Sequence, residues 1–188
     1  EAEACHSLGK TRSVSAPAAL RAVLDRDSYL DVVRQSAYRG LAAAGDESAI
    51  ELLVEGSRYG KVSHGRRAAI LALAELCRGR RDHQGRKARE HIEDLLIDPD
   101  FRVQQAGIEA LGRIGDPAAV AALTRVTDRE LDGRLRRRAR EVVRDLVEQG
   151  ATTEQVKALR DNVDALQKEL YTLRDRVGKV ETGRGHQK

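Results

Sequence analysis

The stretch Asp98–Leu123, DPDFRVQQAGIEALGRIGDPAAVAAL, decides the fold. Asp98-Pro99-Asp100 stops whatever precedes it. Val103, Ala106, Gly107, Ala110, Leu111 and Ile114 then recur at three- and four-residue spacing, which puts one apolar stripe along an amphipathic helix. Gly115-Asp116-Pro117 ends that helix and starts another, with glycine at the exit, aspartate as N-cap and proline at the first helical position. Ala119, Val120, Ala122, Leu123 and Val126 form the inner face of the second helix. The segment therefore predicts two antiparallel helices joined by a very short turn.

Related segments lie on both sides. A shift of 70 residues places Val33 on Val103, Gly40 on Ala110, Leu41 on Leu111, Gly45-Asp46 on Gly115-Asp116 and Leu53 on Leu123. Upstream, Leu8-Gly9 and Leu20 match Leu111-Gly112 and Leu123. Ala68, Ala69, Ala72, Leu73 and Leu76 form the first helix of a third unit, with Ala88 to Ile97 as its partner. The shared leucine recurs after 33, 32 and 38 residues, at Leu8, Leu41, Leu73 and Leu111. The longest step contains Arg78 to Gln84, read as a polar insertion emerging as a loop. Leu135, Ala139, Val142, Val143 and Leu146 give a last, unpaired helix, which Gly150 is expected to end.

The predicted fold is all-α: an α-solenoid of antiparallel helix pairs, followed by a long C-terminal heptad helix. Its units are placed at about 1–27, 28–60, 61–98 and 99–131, with a capping helix over 133–149, so that residues 1–150 form the solenoid. Residues 151–182 form the heptad helix and 183–188 a flexible tail. The composition suits close helix layers: aromatic residues make up 3% of 188, and Met and Trp are absent. Gly40 and Gly107, both inside helices, are read as points of close helix approach. Tyr38 and Phe101 are read as core fillers at repeat junctions, and Cys5 and Cys77 as two buried thiols.

In the C-terminal segment, Val156, Leu159, Val163, Leu166, Leu170, Leu173, Val177 and Val180 alternate steps of three and four. This is a heptad seam with mostly β-branched residues at a and mostly leucine at d, the pattern of a parallel dimer. Glu169 and Arg174 would then attract across the pair. The same stripe could instead fold back onto the chain's own repeats.

Chemistry is sparse in the sequence. His6, His64, His83, His91 and His186 are scattered, and none has a His or Cys partner at i+3 or i+4; His91 with Glu93 and Asp94 lacks the second histidine of an H-E-x-x-H site. No nucleophile elbow or phosphate loop occurs. No catalytic residue, metal ligand or cofactor is expected in this chain, and no run of apolar residues is long enough to cross a membrane. The 34 basic and 30 acidic residues leave a net charge of +4. Two arginine clusters stand out, one from Arg78 to Arg89 and one at Arg134, Arg136, Arg137, Arg138, Arg140 and Arg144. Arg134, Arg136, Arg137, Arg140 and Arg144 are the residues that would meet a polyanion. Without interleaved aromatics, both clusters read as solvated, salt-bridged helix faces rather than as a nucleic-acid site.

The ALGRIGDPAAVAAL core resembles a HEAT repeat. The longer stretches DRDSYLDVVRQSAYRGLAAAGDESAIELLVEGSRYG and DPDFRVQQAGIEALGRIGDPAAVAALTRVTDRELDGRLRRRAREVVRDL are similar to the C-terminal HEAT-repeat region of aminopeptidase N-type zinc metallopeptidases. That resemblance implies a non-catalytic accessory module, with zinc expected only in an upstream catalytic domain, because the H-E-x-x-H and G-x-M-E-N motifs are absent here. Generic bacterial HEAT proteins share the same core. The expected partners are another protein or the chain's own upstream domain, together with a second copy through the heptad helix. A free-standing adaptor and a nucleic-acid backbone binder are the alternatives. The opening EAEACHSLGK, already in helical pattern, is expected to continue from something longer, and the residues favour no compartment strongly, the cytoplasm slightly.

Overall fold

The computed structural model describes residues 1–184. The chain divides into two compact units, Glu1–Val147 and Glu148–Lys188.

The first unit is built from helices α1 (Ala2–Lys10), α2 (Ala16–Ala22), α3 (Val32–Ala44), α4 (Ile50–Ser57), α5 (Ser63–Leu76), α6 (His83–Asp94), α7 (Phe101–Ile114) and α8 (Val120–Arg129), and from the start of α9 (Gly133–Arg184). No strand occurs among the described residues. Helices α1, α3, α5 and α7 pack successively against one another as one layer. Their partners α2, α4 and α6 pack against the same neighbours from the other layer. The fold is an α-solenoid.

Local chemistry sets the boundaries. Gly45 and Gly115 end α3 and α7 with φ of 73° and 71°, a left-handed exit that costs glycine nothing. Asp46, Asp82 and Asp116 then cap the second helices by accepting the backbone N–H of Ser48, Gly85 and Ala118. The 38-residue step is shared between loop and helix: residues 77–82 form the turn, where Gly45-Asp46 suffice in the preceding unit, while His83 and Gln84 already belong to α6, which Asp82 caps and which is 12 residues long where α4 has 8. Capping at Asp82 makes helix the cheaper solution for HQGRKARE.

The core is a continuous sheet of small aliphatic contacts. Leu20, Leu41, Leu53, Ile70, Leu73, Ile92, Leu111, Leu123 and Leu146 are all essentially inaccessible to solvent. Tyr38 is buried as expected, but Phe101 is 41% exposed: it starts α7 at the rim instead of filling the junction. The two interior glycines also differ. A Cβ on Gly40 would lie 2.6 Å from the Cys5 carbonyl oxygen and 2.9 Å from Leu20 Cδ2, so α1 and α3 do meet through glycine. At Gly107 the nearest atom would be Leu96 Cδ2 at 3.4 Å, an ordinary contact, so close approach does not explain that glycine.

The second unit is helical from Glu148 to Arg184. Gly150 does not stop the helix. It is followed by ATTEQVKALR, with no proline and no residue in the left-handed region, so a helix-interior glycine penalty of about 1 kcal/mol is outweighed. Val156, Leu159, Val163, Leu166 and Leu170 are 44% to 64% exposed. The side chains of Leu173, Val177 and Val180 lie outside the described residues, as does most of the expected tail, 185–188.

Candidate interaction surfaces

The ends of the first-layer helices are brought into register by ion pairs that run from one repeat to the next. Arg66, on the first turn of α5, is 3% exposed. Its Nε donates to the Ser57 carbonyl at 2.9 Å, closing the C-terminus of α4, and its two terminal nitrogens hold the Asp98 carboxylate before α7. Asp98 in turn accepts the Asp100 N–H at 2.9 Å, and Asp100 accepts from Ser63 and from the N–H of Arg102. The Ser63 hydroxyl, foremost, and the Arg102 N–H hold the Asp100 carboxyl below the usual range. Seven residues before its own shared leucine, Arg34 likewise closes the preceding second-layer segment, but its carboxylate partner, Asp31, belongs to its own repeat. Its Nε donates to the Leu24 carbonyl at 2.7 Å and its Nη1 to Asp31 at 2.6 Å.

On the other layer the arginines serve the cap aspartates. Arg21 reaches Asp46 at 2.7 Å and Ser48 at 2.6 Å. Arg89 lies 3.2 Å from Asp116 and also pairs with Glu93. Arg81 donates to the Gly115 carbonyl at 2.7 Å. Arg80 joins Asp82 at 2.6 Å to Glu47 of the preceding repeat at 2.8 Å. The cluster from Arg78 to Arg89 is thus largely a set of inter-repeat clasps. Its charge is used inside the protein, as the salt-bridged reading of the sequence requires.

The second arginine cluster is only partly engaged. Arg134 pairs with Asp132 at 2.9 Å and lies over the Phe101 ring at 5.3 Å, while Arg137 and Arg138 share Glu141 at 3.0 and 3.2 Å. Arg144 approaches Asp145 at 3.6 Å. Arg136 and Arg140 make no ion pair among the described residues. These two, spaced four apart on one face of α9, are what is left of the polyanion candidate set.

Sequence periodicity did not reveal a row of exposed apolar side chains along one edge. Contacts at both ends, Ser63 with Asp100 and Gly79 with Ile114, show that α5 and α7 run parallel, so their N-termini share an edge. Asp31 beside Gly65 and Arg134 over the Phe101 ring bring the starts of α3 and α9 to that edge. There Tyr29, Tyr59, Ile97 and Leu131, in the turns that enter α3, α5, α7 and α9, are 85%, 77%, 86% and 92% exposed. Arg66 lies over the Tyr59 ring and Arg102 over Phe101, at 5.8 and 5.6 Å. The signal was present as exposed large apolar residues in the turns that enter α3, α5, α7 and α9, Leu30 and Val62 joining Tyr29 and Tyr59 in the first two, at positions where polar residues are the norm.

No group of three or more histidine, cysteine or acidic residues able to hold a metal occurs among the described residues. Both cysteines are free and buried, and burial pushes the Cys77 thiol up to about 11. Ser57 and His91 do meet, Oγ to Nε2 at 2.7 Å. The serine is fully buried and also donates to the Val54 carbonyl, so the pair seals a helix end and faces no substrate space.

Fold and surface together define a helical-repeat protein in which arginine–carboxylate pairs clasp one repeat to the next. Residues 63–144 match the family of HEAT repeats, which places that segment within the class the geometry describes. No curated protein matches the chain. No helix among the described residues is long and apolar enough to cross a membrane.

Proposed function

We propose that this chain is a protein-interaction scaffold that holds a polypeptide partner along the edge marked by Tyr29, Tyr59, Ile97 and Leu131. One observation carries the reading: four large apolar side chains, each at least three-quarters exposed, recur once per repeat on one edge. Isolated exposed apolar residues are ordinary, but a row of them beside arginines has the composition of a binding hot spot. Neighbouring helices lie about 8–10 Å apart, so the row offers anchors at that step to an extended chain. HEAT repeats commonly mediate protein interactions, which supports the same conclusion.

The narrower expectation of an aminopeptidase accessory region rests on repeat residues that generic HEAT proteins share, and no relative adds to it. An accessory module and a free-standing adaptor would use the same edge. Repeated pairing of arginines with cap aspartates weighs against a nucleic-acid backbone as the main ligand. We further propose that the heptad stripe from Val156 pairs with a second copy of the chain, because five of its apolar residues are exposed along one helix.

The test is selection from a displayed random-peptide library on the full chain. Peptides rich in apolar residues are expected, and Tyr29→Ser, Tyr59→Ser, Ile97→Ser and Leu131→Ser combined should weaken them at least about tenfold. Selected peptides that bind the wild type and this variant equally would overturn the assignment.

A further inference from the structure

Between the first and third repeats lies a cavity of about 590 Å³, within the range of small-ligand sites. Space comes from missing side chains: Gly56, Gly60 and Gly65 all line it. A Cβ on Gly56 would overlap the Tyr38 hydroxyl and one on Gly65 the Asp31 carboxylate, so both polar groups reach the wall where the glycines leave room.

Arg34 and Arg66 line it with their charges paired to Asp31 and Asp98 and their Nε atoms on the Leu24 and Ser57 carbonyls, and Lys61, also on the wall, lies 3.9 Å from Glu55. Beside these paired cations several acceptors stay open. Asp25 has no ion pair among the described residues. Asp31, 5% exposed, uses Oδ1 for Arg34 and leaves Oδ2 against Gly65. Glu55 is shared only with exposed Arg58 and Lys61, at 3.1 and 3.9 Å. Tyr38 is the most telling group. It is 95% buried, yet its hydroxyl opens onto the cavity and makes no hydrogen bond among the described residues. Burial pushes its phenol up; Arg34 pulls it back, and Asp31, Asp25 and Glu55 each push it further up, so all three carboxylates are felt at that oxygen.

We infer that this cavity binds a cationic side-chain group, a guanidinium or ammonium on an aliphatic stem, between Asp25, Asp31 and Glu55 with the Tyr38 hydroxyl as a further acceptor. Leu24, Leu52 and Val62 provide the apolar wall that a stem requires. A divalent metal does not fit, because no set of three ligands among the described residues is close enough to hold one. The source is an arginine or lysine of a polypeptide partner, which rests on the scaffold reading; a free polyamine carries the same chemistry.

The test titrates the full chain with acetyl-arginine methylamide and follows the Tyr38 ring signals by NMR. A saturable shift is expected, with acetyl-citrulline methylamide, the same shape without charge, weaker by at least about tenfold. Asp25→Asn with Glu55→Gln should lose a similar factor, and neither exposed carboxylate is needed for folding. Tyr38→Phe should weaken binding while leaving the thermal melt unchanged, since its hydroxyl makes no hydrogen bond among the described residues. Equal affinity for the arginine and citrulline probes, or no shift with the former, overturns the inference. Spermidine binding more tightly than the arginine probe overturns the polypeptide source. The edge-row peptide selection reads separate residues, so its failure and the failure of this test are distinguishable.

Discussion

Replacing Asp98 by Asn tests whether the repeats are held by buried charge or by apolar packing alone. Both side chains of the Arg66–Asp98 pair are 4% exposed, so solvent screens neither charge. Loss of the carboxylate charge would leave the Arg66 guanidinium buried beside a neutral amide while still tied to the Ser57 carbonyl. Breaking a buried pair from one side costs about 3–5 kcal/mol, because the surviving charge is uncompensated. For a chain of this size each kcal/mol moves the melting temperature by about 2–4 °C, so a drop of about 6–20 °C is expected. Arg66→Met should cost a similar amount. The double variant should lose less than the sum of the two by at least about 2 kcal/mol, since it removes both charges together. Thermal and urea unfolding followed by circular dichroism provide the assay, with Glu51→Gln, which breaks an exposed pair with Lys87, as a control expected to change little. If Asp98→Asn melts within 2–3 °C of the wild type, or if the two single losses simply add, the clamp is a surface-like pair and the reasoning fails.

Glycine substitution should have opposite signs at the two interior positions. Gly107→Ala should stabilise by roughly 0.5–1 kcal/mol, because alanine fits and favours helix; Gly40→Ala should destabilise by about 1–3 kcal/mol as α1 is forced off α3, and urea midpoints shifting in one direction would refute the contact geometry. The pH dependence should carry a His91 signature. Its pKa is lowered, first by burial and further by Arg58 and Arg66, with Asp94 opposing. The unfolded chain therefore takes up this proton first, so stability is full above about pH 6.5 and falls as the pH drops below it. His91→Gln should flatten the urea midpoints between about pH 7 and 5, ahead of the losses below about pH 4 from carboxylates such as Asp100; an unchanged slope would exclude this histidine. Light scattering behind a sizing column should give twice the chain mass, and Leu159→Lys with Leu166→Lys should halve it by placing charge in the seam. A wild-type monomer would refute the pairing.

The sequence by itself determined the helix pairs and their turns, because those are decided by local physics. Gly115-Asp116-Pro117 combines a left-handed exit, a cap and a preset φ in three residues, and the apolar stripe of Val103 to Ile114 can be buried only against another helix. Only the tertiary structure decided which charges are free. Arg78 to Arg89 and Arg136 with Arg140 look alike in sequence, yet Arg80, Arg81 and Arg89 meet Glu47, the Gly115 carbonyl and the Asp116 cap, each in another repeat, whereas Arg136 and Arg140 make no ion pair among the described residues. Gly40 and Gly107 likewise occupy similar helix interiors, and only the approach of α1 separates a required glycine from a replaceable one. The exposed edge and the acceptor-lined cavity arise from residues brought together across repeats, so no window of sequence contains them. Periodicity records which face a helix buries; which side chains then remain without a partner depends on the neighbours that the stack provides.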